Sequence, residues 1–307
     1  MLMLAPALLL CVLLAFSALV QYGMLLPLIV HSAADAKAEG AANAPAPAAD
    51  DDTDTDADTR PLLYSRSPVV WCVVLGTVYG VAWLMETAHF ALTCLVDNSP
   101  AQNPPRADAA AALLGSGGAP VDEASLPRCR KCGGVKPARC HHCSACGRCC
   151  LKFDHHCPFF GNCIGFCNYK FFLCFLGWAL VLCALLVAEA VPVLAWMLRG
   201  HADVAGAGTA FFAFVGATFF VAALGMLVTH VELASLNATT FERPQITLFG
   251  LHPNRRAGAA DRAPYDLGVR ANWRQVFGPR PALWLLPVFS SLGDGYSFPE
   301  NDLDKEP

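Results

Sequence analysis

Charged residues are scarce in this 307-residue chain. Asp, Glu, Lys and Arg make up 15% of it, whereas hydrophobic residues make up 55%, and none of the four charged types occurs before Asp35. So few charged side chains exclude an ordinary soluble domain of this length, because too much apolar surface would remain in contact with water. The composition therefore predicts an integral membrane protein.

Long apolar runs provide the predicted membrane spans, each of which needs about 20 residues to cross a bilayer. Four predicted transmembrane helices cover 2–30, 69–96, 171–198 and 210–235. The first run has no basic n-region and is much longer than the roughly 7–15 apolar residues of a signal peptide. We therefore expect it to be retained as a helix.

The connecting segments differ in charge, and this difference predicts the topology. Segment 31–67 is acidic, and 97–127 is rich in Ala, Pro and Gly, so both are predicted to be linkers. The acidic run at 51–57 lacks the Gly turn and the final Glu of an EF-hand. The basic segment 128–170 favours the cytosol, which also places both termini and the C-terminal segment 236–307 in the cytosol and the acidic loop in the lumen.

Ionisable residues inside the predicted spans are costly in lipid unless they are paired, hydrated or near an interface. We interpret them mainly as satisfied interhelical contacts, with a polar element of the bundle as the alternative. The apolar segment 281–292 is too short to span and is expected to lie on the membrane surface or against the cytosolic domain. The intramembrane residues concerned are Glu86, His89, Glu189, His230 and Glu232.

Cysteine is concentrated in one short region: ten of the 15 cysteines fall between Cys129 and Cys167, together with four of the nine histidines. Closely spaced CxxC pairs with interleaved histidines favour zinc over a disulfide framework. Two tetrahedral sites need eight ligands, and this region holds more. Metal binding would supply the folding free energy that a segment with few large apolar side chains lacks.

The four consecutive residues from Asp154 to Cys157 are the candidate chemical centre. A thiol becomes a strong nucleophile when a base takes its proton and a third group orients that base. Cys157, a neighbouring histidine and Asp154 can supply these three roles. On spacing alone, Cys157 can equally be another metal ligand.

The run CRKCGGVKPARCHHCSACGRCCLKFDHHCPFFGNCIGFCNYKFF resembles the cysteine-rich domain of the DHHC family of protein S-acyltransferases, or palmitoyltransferases. Thr239, Thr240 and Glu242 resemble its TTxE motif, and Asn272 resembles the asparagine of its C-terminal motif. The ending, with YDLG, GPR and GDGYSF, is similar to a divergent branch of probable palmitoyltransferases. The implied fold is an α-helical multi-pass membrane protein, with four transmembrane helices and a cytosolic zinc-binding domain between the second and third.

The resemblance implies two structural Zn²⁺ ions and acyl-CoA, notably palmitoyl-CoA, as co-substrate. It implies that Cys157 is the nucleophile, His155 the base and Asp154 the residue that orients it. Thr240 and Glu242 would join the fourth span to the cysteine-rich domain, and Asn272 would fix the C-terminal segment. The implied zinc ligands are Cys129, Cys132, His142 and Cys149 for one ion and Cys143, Cys146, His156 and Cys163 for the other.

The implied activity is transfer of a fatty acyl group to cytosolic cysteines of membrane-associated proteins, at the endoplasmic reticulum or Golgi, with no nucleic acid involved. Lys136 and Arg139 could attract the CoA phosphates or simply be solvated. Phe159 departs from the family, which usually has Trp at this position. The alternatives are a membrane-anchored zinc module that only binds partners and a RING-type ubiquitin ligase, although the closing CxxC pair of a RING is absent.

Overall fold

A computed structural model describes residues 68–104, 126–198, 204–242 and 264–301. Within these ranges the chain forms four α-helices, two small antiparallel hairpins and one 3-10 turn. The predicted first span at 2–30 and the predicted acidic loop at 31–67 lie outside the described residues.

Three long helices form the membrane part of the described structure. These are α1 (Pro68–Leu95), α2 (Tyr169–Leu198) and α3 (Val204–Ser235). Each contains a stretch long and apolar enough to cross a membrane. Helix α2 packs against both α1 and α3. It is also the most enclosed, because 56% of its span is buried, against 28% for α1 and 17% for α3. The other two helices therefore leave most of their apolar surface outward, as lipid-facing helices do.

Several ionisable residues of these helices point inward. Glu86, His89 and His230 are at most 1% exposed, and Glu232 is half-buried. Their burial agrees with the expectation that ionisable groups in spans face the bundle and not the lipid.

The cysteine-rich segment lies between α1 and α2 and contains two hairpins of three-residue strands. Strand β1 (His141–Cys143) pairs with β2 (Arg148–Cys150), and β3 (His155–Cys157) pairs with β4 (Asn162–Ile164). Isolated hairpins this short are not stable in water. Their shape must come from something other than strand pairing.

The C-terminal segment folds back on the helices. Helix α4 (Val269–Phe277) packs against α3 and α2, and the 3-10 turn Pro281–Leu283 follows it. Lys170, at the start of α2, is 1% exposed. Its ammonium group donates to the carbonyls of Leu283 and Val288 at 2.7 Å each and to the hydroxyl of Ser290 at 2.8 Å. One buried cation thus holds the segment that follows α4.

Asn272 joins α4 to the end of α3. It is fully buried, and its Nδ2 donates to the Ser235 carbonyl and to the Asp266 carboxylate, each at 2.7 Å. Its Oδ1 accepts the backbone N–H of Leu267 at 3.0 Å. The side chain therefore uses both its donor and its acceptor function.

Replacing Asn272 by Ala should lower the melting temperature of the detergent-solubilised protein. Each buried partner left unsatisfied costs about 1–3 kcal/mol. The matched control is Arg270→Ala, on an exposed position of the same helix, which should change stability by no more than about 0.5 kcal/mol. Equal melting temperatures for the two variants would contradict the role given to Asn272.

Candidate active site and zinc centres

The structure brings eight cysteine and histidine side chains together in two separate groups. Within each group, the candidate ligand atoms all lie within 4.8 Å of one another. The first group is Cys129, Cys132, His142 and Cys149, and the second is Cys143, Cys146, His156 and Cys163.

The donor geometry of both groups fits tetrahedral zinc. Ligand atoms about 2.0–2.3 Å from a zinc ion lie roughly 3.3–3.8 Å from each other. The Sγ atoms of Cys132 and Cys149 are 3.7 Å apart. In the second group, Cys146 Sγ lies 3.4 Å from Cys163 Sγ and 3.4 Å from His156 Nδ1.

Two further observations support zinc. The buried Nδ1 of His142 has no hydrogen-bond partner among the described residues, as expected of an atom that binds a metal. The thirteen cysteines whose side chains the structure describes form no disulfide bonds, so no disulfide framework is present among them. The two groups are therefore zinc-binding sites, and the ions would be structural, because all four positions of each are filled by protein ligands.

Backbone N–H groups favour the thiolate form at the first cysteine of each CxxC pair. The N–H groups of Cys132 and Lys131 lower the pKa of Cys129 to about 7. Burial acts to raise the pKa of Cys143, but N–H groups of the following residues, Cys146 among them, outweigh burial and lower it. Zinc binds the thiolate, so both turns prepare a ligand.

The two zinc groups are related by a sequence repeat. Each ligand of the second group lies 14 residues after its counterpart in the first. Cross-strand pairing follows the same interval, with Arg128 opposite Val135, His142 opposite Cys149 and His156 opposite Cys163. The left-handed glycines of the turns do so as well, at Gly133, Gly147 and Gly161. The segment is therefore built from three copies of one turn.

The third copy is incomplete, and this explains the position of Cys157. Cys157 lies 14 residues after Cys143 and so corresponds to the first cysteine of a CxxC pair. Phe160 occupies the place of the second cysteine and is 4% exposed, in the same apolar cluster as Cys157. Cys157 belongs to neither zinc group, since eight other residues fill both.

Cys157 instead lies beside a buried carboxylate–imidazole pair. His155 Nδ1 is 2.6 Å from Asp154 Oδ2, and the Cys157 side chain is close enough to His155 to raise the pKa of the imidazole. The Asp154 side chain is 1% exposed and that of His155 is 26% exposed. The histidine therefore bridges the carboxylate and the thiol.

Electrostatics within this trio favour a basic histidine. Burial acts to lower the pKa of His155, but the hydrogen bond to Asp154 and the neighbouring Cys157 raise it to about 9. Burial acts in the opposite sense on Asp154, yet the hydrogen bond from His155 keeps its pKa below the usual value. The carboxylate thus stays ionised and strengthens His155 as a proton acceptor.

The segment after α3 holds Asp154 from the other side. The backbone N–H of Thr240 donates to Asp154 Oδ1 at 2.9 Å, and the Thr240 hydroxyl lies 2.7 Å from the Asp154 carbonyl and 3.0 Å from Oδ2. Thr239 and Glu242 close this turn through reciprocal bonds between their side chains and backbone N–H groups. Thr240 therefore fixes the carboxylate that orients His155.

Arg139 links the same turn to the cysteine-rich segment. Its guanidinium forms two 2.7 Å bonds with the Glu242 carboxylate and a 2.7 Å bond to the Asn237 carbonyl. It also lies over the rings of Tyr265 and Phe298. With its side chain only 1% exposed, Arg139 is not available to CoA phosphates, so this part of the sequence interpretation was wrong.

Comparison with known proteins identifies this arrangement. The model of the DHHC palmitoyltransferase family matches residues 123–246, which include both zinc groups, Cys157 and Thr240. The chain carries a DHHC domain. Its cysteine-rich segment, with the two spans that follow it, is the part of the molecule to which that family description applies.

Several named palmitoyltransferases are similar to this chain. Palmitoyltransferase ZDHHC15A of Danio rerio is 42% identical over 173 residues, or 56% of this chain and 51% of that protein. Palmitoyltransferase ZDHHC20 of Homo sapiens is 42% identical over 181 residues, or 58% of this chain and 48% of that protein. Palmitoyltransferase ZDHHC2 of Homo sapiens is 41% identical over 181 residues, or 58% and 47%. The chain thus spans about half the length of these relatives.

An aromatic cluster surrounds Cys157 in the DHHC domain. Phe160, Phe172 and Phe175 are buried beside it, where α1 and α2 meet the second hairpin. Phe160 contacts Phe172 and Phe175 edge-to-face, with centroids 5.9 and 5.1 Å apart. Phe159, by contrast, is 57% exposed. The thiol therefore faces an apolar region on the membrane side.

Sequence reasoning left out three residues that the structure places in or beside the site. Arg139 was assigned to solvent or CoA, and Asn237 was given no role in the site. His230 was treated as a general intramembrane contact, although its ring centroid lies 5.7 Å from that of His155. The one available signal was the rarity of a histidine in a span.

The adjacent histidines His155 and His156 should respond differently to removal of their side chains. His156→Ala should release one zinc ion, because Nδ1 of that residue points into the second cysteine group. His155→Ala should keep two zinc ions per chain. Metal analysis of the purified variants measures both values, and equal zinc loss in the two would refute the assignment.

Proposed function

We propose that this chain is a protein S-acyltransferase that moves a fatty acyl group, such as palmitoyl, from acyl-CoA to cysteine thiols of proteins. The observation that carries the proposal is the hydrogen-bonded pair of Asp154 and His155 with the Cys157 thiol beside the imidazole, all three of which are separate from both zinc groups. A zinc module that only binds partners would not need a histidine base next to a thiol that is not a zinc ligand.

In the first step, His155 takes the proton of Cys157, and the thiolate attacks the carbonyl carbon of acyl-CoA. The CoA thiolate leaves and is protonated from His155, so that the acyl group is now a thioester of Cys157. Asp154 stabilises the imidazolium that exists between these proton transfers.

In the second step, His155 takes the proton of a substrate cysteine, whose thiolate attacks the acyl-Cys157 carbonyl. The Cys157 thiolate leaves and recovers the proton. One thioester replaces another in each step, so the reaction is nearly balanced in free energy and needs an activated thiol more than a driving force.

The setting of the thiol supports a long-chain acyl group as the one transferred. The apolar residues around Cys157 continue along α1 and α2 toward the membrane interior. An acyl chain bound there would stay out of water while its thioester remained at Cys157. Burying it contributes about 0.8 kcal/mol per CH₂ group, which favours long chains over acetyl.

Cys157→Ser should abolish formation of the acyl-enzyme while preserving the fold and both zinc ions. A neutral hydroxyl is a far weaker nucleophile than a thiolate next to a base. Purified wild-type and variant proteins are incubated with labelled acyl-CoA and then treated with neutral hydroxylamine, which cleaves thioesters. The matched control is Cys150→Ser, at another buried thiol outside the ligand sets, which should acylate normally.

A hydroxylamine-sensitive acyl group that forms on Cys157→Ser at the wild-type rate would place the nucleophile elsewhere. If the wild-type protein with two zinc ions formed no acyl-enzyme, the chain would be a zinc-binding module and not an acyltransferase.

The proposed location is the endoplasmic reticulum or Golgi membrane, with the DHHC domain and both termini in the cytosol. The supporting observation is the excess of Lys and Arg in 128–170, where acyl-CoA and substrate cysteines would meet the site. The proposed substrates are membrane-associated proteins with cytosolic cysteines, because the thiol lies at the membrane end of the domain.

Protease treatment of sealed microsomes should cut tags at both termini and leave a tag in the 31–67 loop protected. Detergent should expose all three, which serves as the control for vesicle integrity. Protection of the DHHC domain before detergent is added would contradict the proposed orientation.

A further inference from the structure

The rings of two histidines from different parts of the chain lie close together beside the Asp154 carboxylate. His230 comes from α3, is 1% exposed, and has its ring centroid 5.7 Å from that of His155. One donor atom each from Asp154, His155 and His230 lie within 4.8 Å of one another. A buried polar ring so close to a carboxylate–imidazole pair must affect its geometry or its charge distribution.

His230 is itself held in a defined orientation. The hydroxyl of Tyr169 is 3.1 Å from His230 Nδ1 and 3.4 Å from the His230 carbonyl. Tyr169 is also buried, and its ring meets the His230 ring edge-to-face at 5.7 Å. The start of α2 therefore fixes the His230 ring.

The ring of Phe172 contacts the rings of both histidines. Its ring is edge-to-face with His230 at 4.8 Å and with His155 at 5.5 Å. The His155 ring is thus confined by Asp154 at Nδ1, by Phe172 and by His230. Rotation of the imidazole away from Cys157 would require one of these contacts to give way.

We infer that His230, held by Tyr169, is a positioning residue for the Asp154–His155 pair. It keeps the imidazole directed at Cys157 and supplies a polar group beside the buried carboxylate, next to the apolar ring of Phe172. This inference rests on the proposed acyltransferase function, because it concerns the same proton transfer.

The roles of shape and polarity can be separated by two substitutions. His230→Phe keeps an aromatic ring of similar size but removes both nitrogens. His230→Asn loses ring volume but retains an amide near the place of Nδ1, where the Tyr169 hydroxyl can still bond. If positioning depends on the polar contact, Asn should restore more activity than Phe.

The first measurement is the single-turnover rate of Cys157 acylation at several acyl-CoA concentrations. His230→Phe should lower the maximal rate at least about tenfold, since a well-placed general base is worth about 10²–10⁴-fold. The concentration giving half the maximal rate should change less than about twofold, because His230 acts on the base and not on acyl-CoA binding. His230→Asn should lose less than His230→Phe.

The second measurement is alkylation of Cys157 by iodoacetamide, followed by mass spectrometry of its peptide. It reports how readily Cys157 becomes a thiolate without any acyl-CoA, and it should slow in parallel with acylation. Tyr169→Phe should give a smaller loss alone and no further loss in the His230→Phe background. The matched control is Thr229→Val, because the Thr229 hydroxyl bonds only to Gly225 of its own helix at 3.0 Å among the described contacts.

Unchanged acylation and alkylation rates in His230→Phe would overturn the inference. So would equal losses in the Phe and Asn variants accompanied by loss of zinc or a lower melting temperature, because His230 would then only support the fold. A raised half-saturating concentration at an unchanged maximal rate would place His230 in the acyl-CoA site instead. In all of these cases the wild-type protein still forms acyl-Cys157, so failure here is distinct from failure of the proposed function.

Discussion

Metal–thiolate coordination is the interaction on which the cysteine-rich segment depends. Its strands are three residues long, so strand pairing alone cannot hold its turns, and its buried apolar side chains, such as Val135 and Phe160, pack in clusters shared with other parts of the chain. Each zinc group joins a CxxC turn to the cross-strand His–Cys pair of the next hairpin. Every turn is thereby tied to its successor, and the position of Cys157 is fixed although Cys157 binds no metal.

The 14-residue repeat also explains how a zinc ligand and the proposed nucleophile can have the same local backbone geometry. Cys143 and Cys157 occupy equivalent places at the ends of β1 and β3. Cys143 has Cys146 as a partner, whereas Cys157 has Phe160. Because Phe160 takes the place of a second cysteine in the third copy, Cys157 has no CxxC partner and lies beside an apolar side chain.

The sequence predicted the chemistry better than it predicted the contacts that support it. Spacing indicated zinc and enough ligands for two ions, because zinc requires particular residue types at short intervals, and the family resemblance implied how the ligands divide into two groups. Arg139 was misinterpreted, because a basic residue in a basic segment gives no sign that it will form a buried ion pair with a carboxylate 103 positions later. The 14-residue repeat, by contrast, was present in the sequence and could have indicated that Cys157 is the unmatched member of its series.

The predicted spans illustrate the same distinction. Composition is enough to recognise α1, α2 and α3 as membrane helices. Composition does not reveal that Glu86, His89 and His230 face the interior of the bundle, because this depends on how the helices pack. Nor does it reveal that Lys170 donates hydrogen bonds to carbonyls more than 100 residues later. The hydrophobic periodicity of the sequence does not predict long-range polar contacts of this kind.

The bond between Thr240 and Asp154 has a consequence for how the molecule matures. The two residues are 86 positions apart, and both α2 and α3 lie between them. During synthesis, the zinc-binding turns can close while α3 is still within the ribosome. The carboxylate that orients His155 can be secured only after α3 has entered the bilayer and the segment that follows α3 has packed against the domain. The Asp154–His155 pair is therefore completed only after the membrane helices have inserted correctly. A partly inserted chain would bind zinc, but its His155 would not be oriented by Asp154.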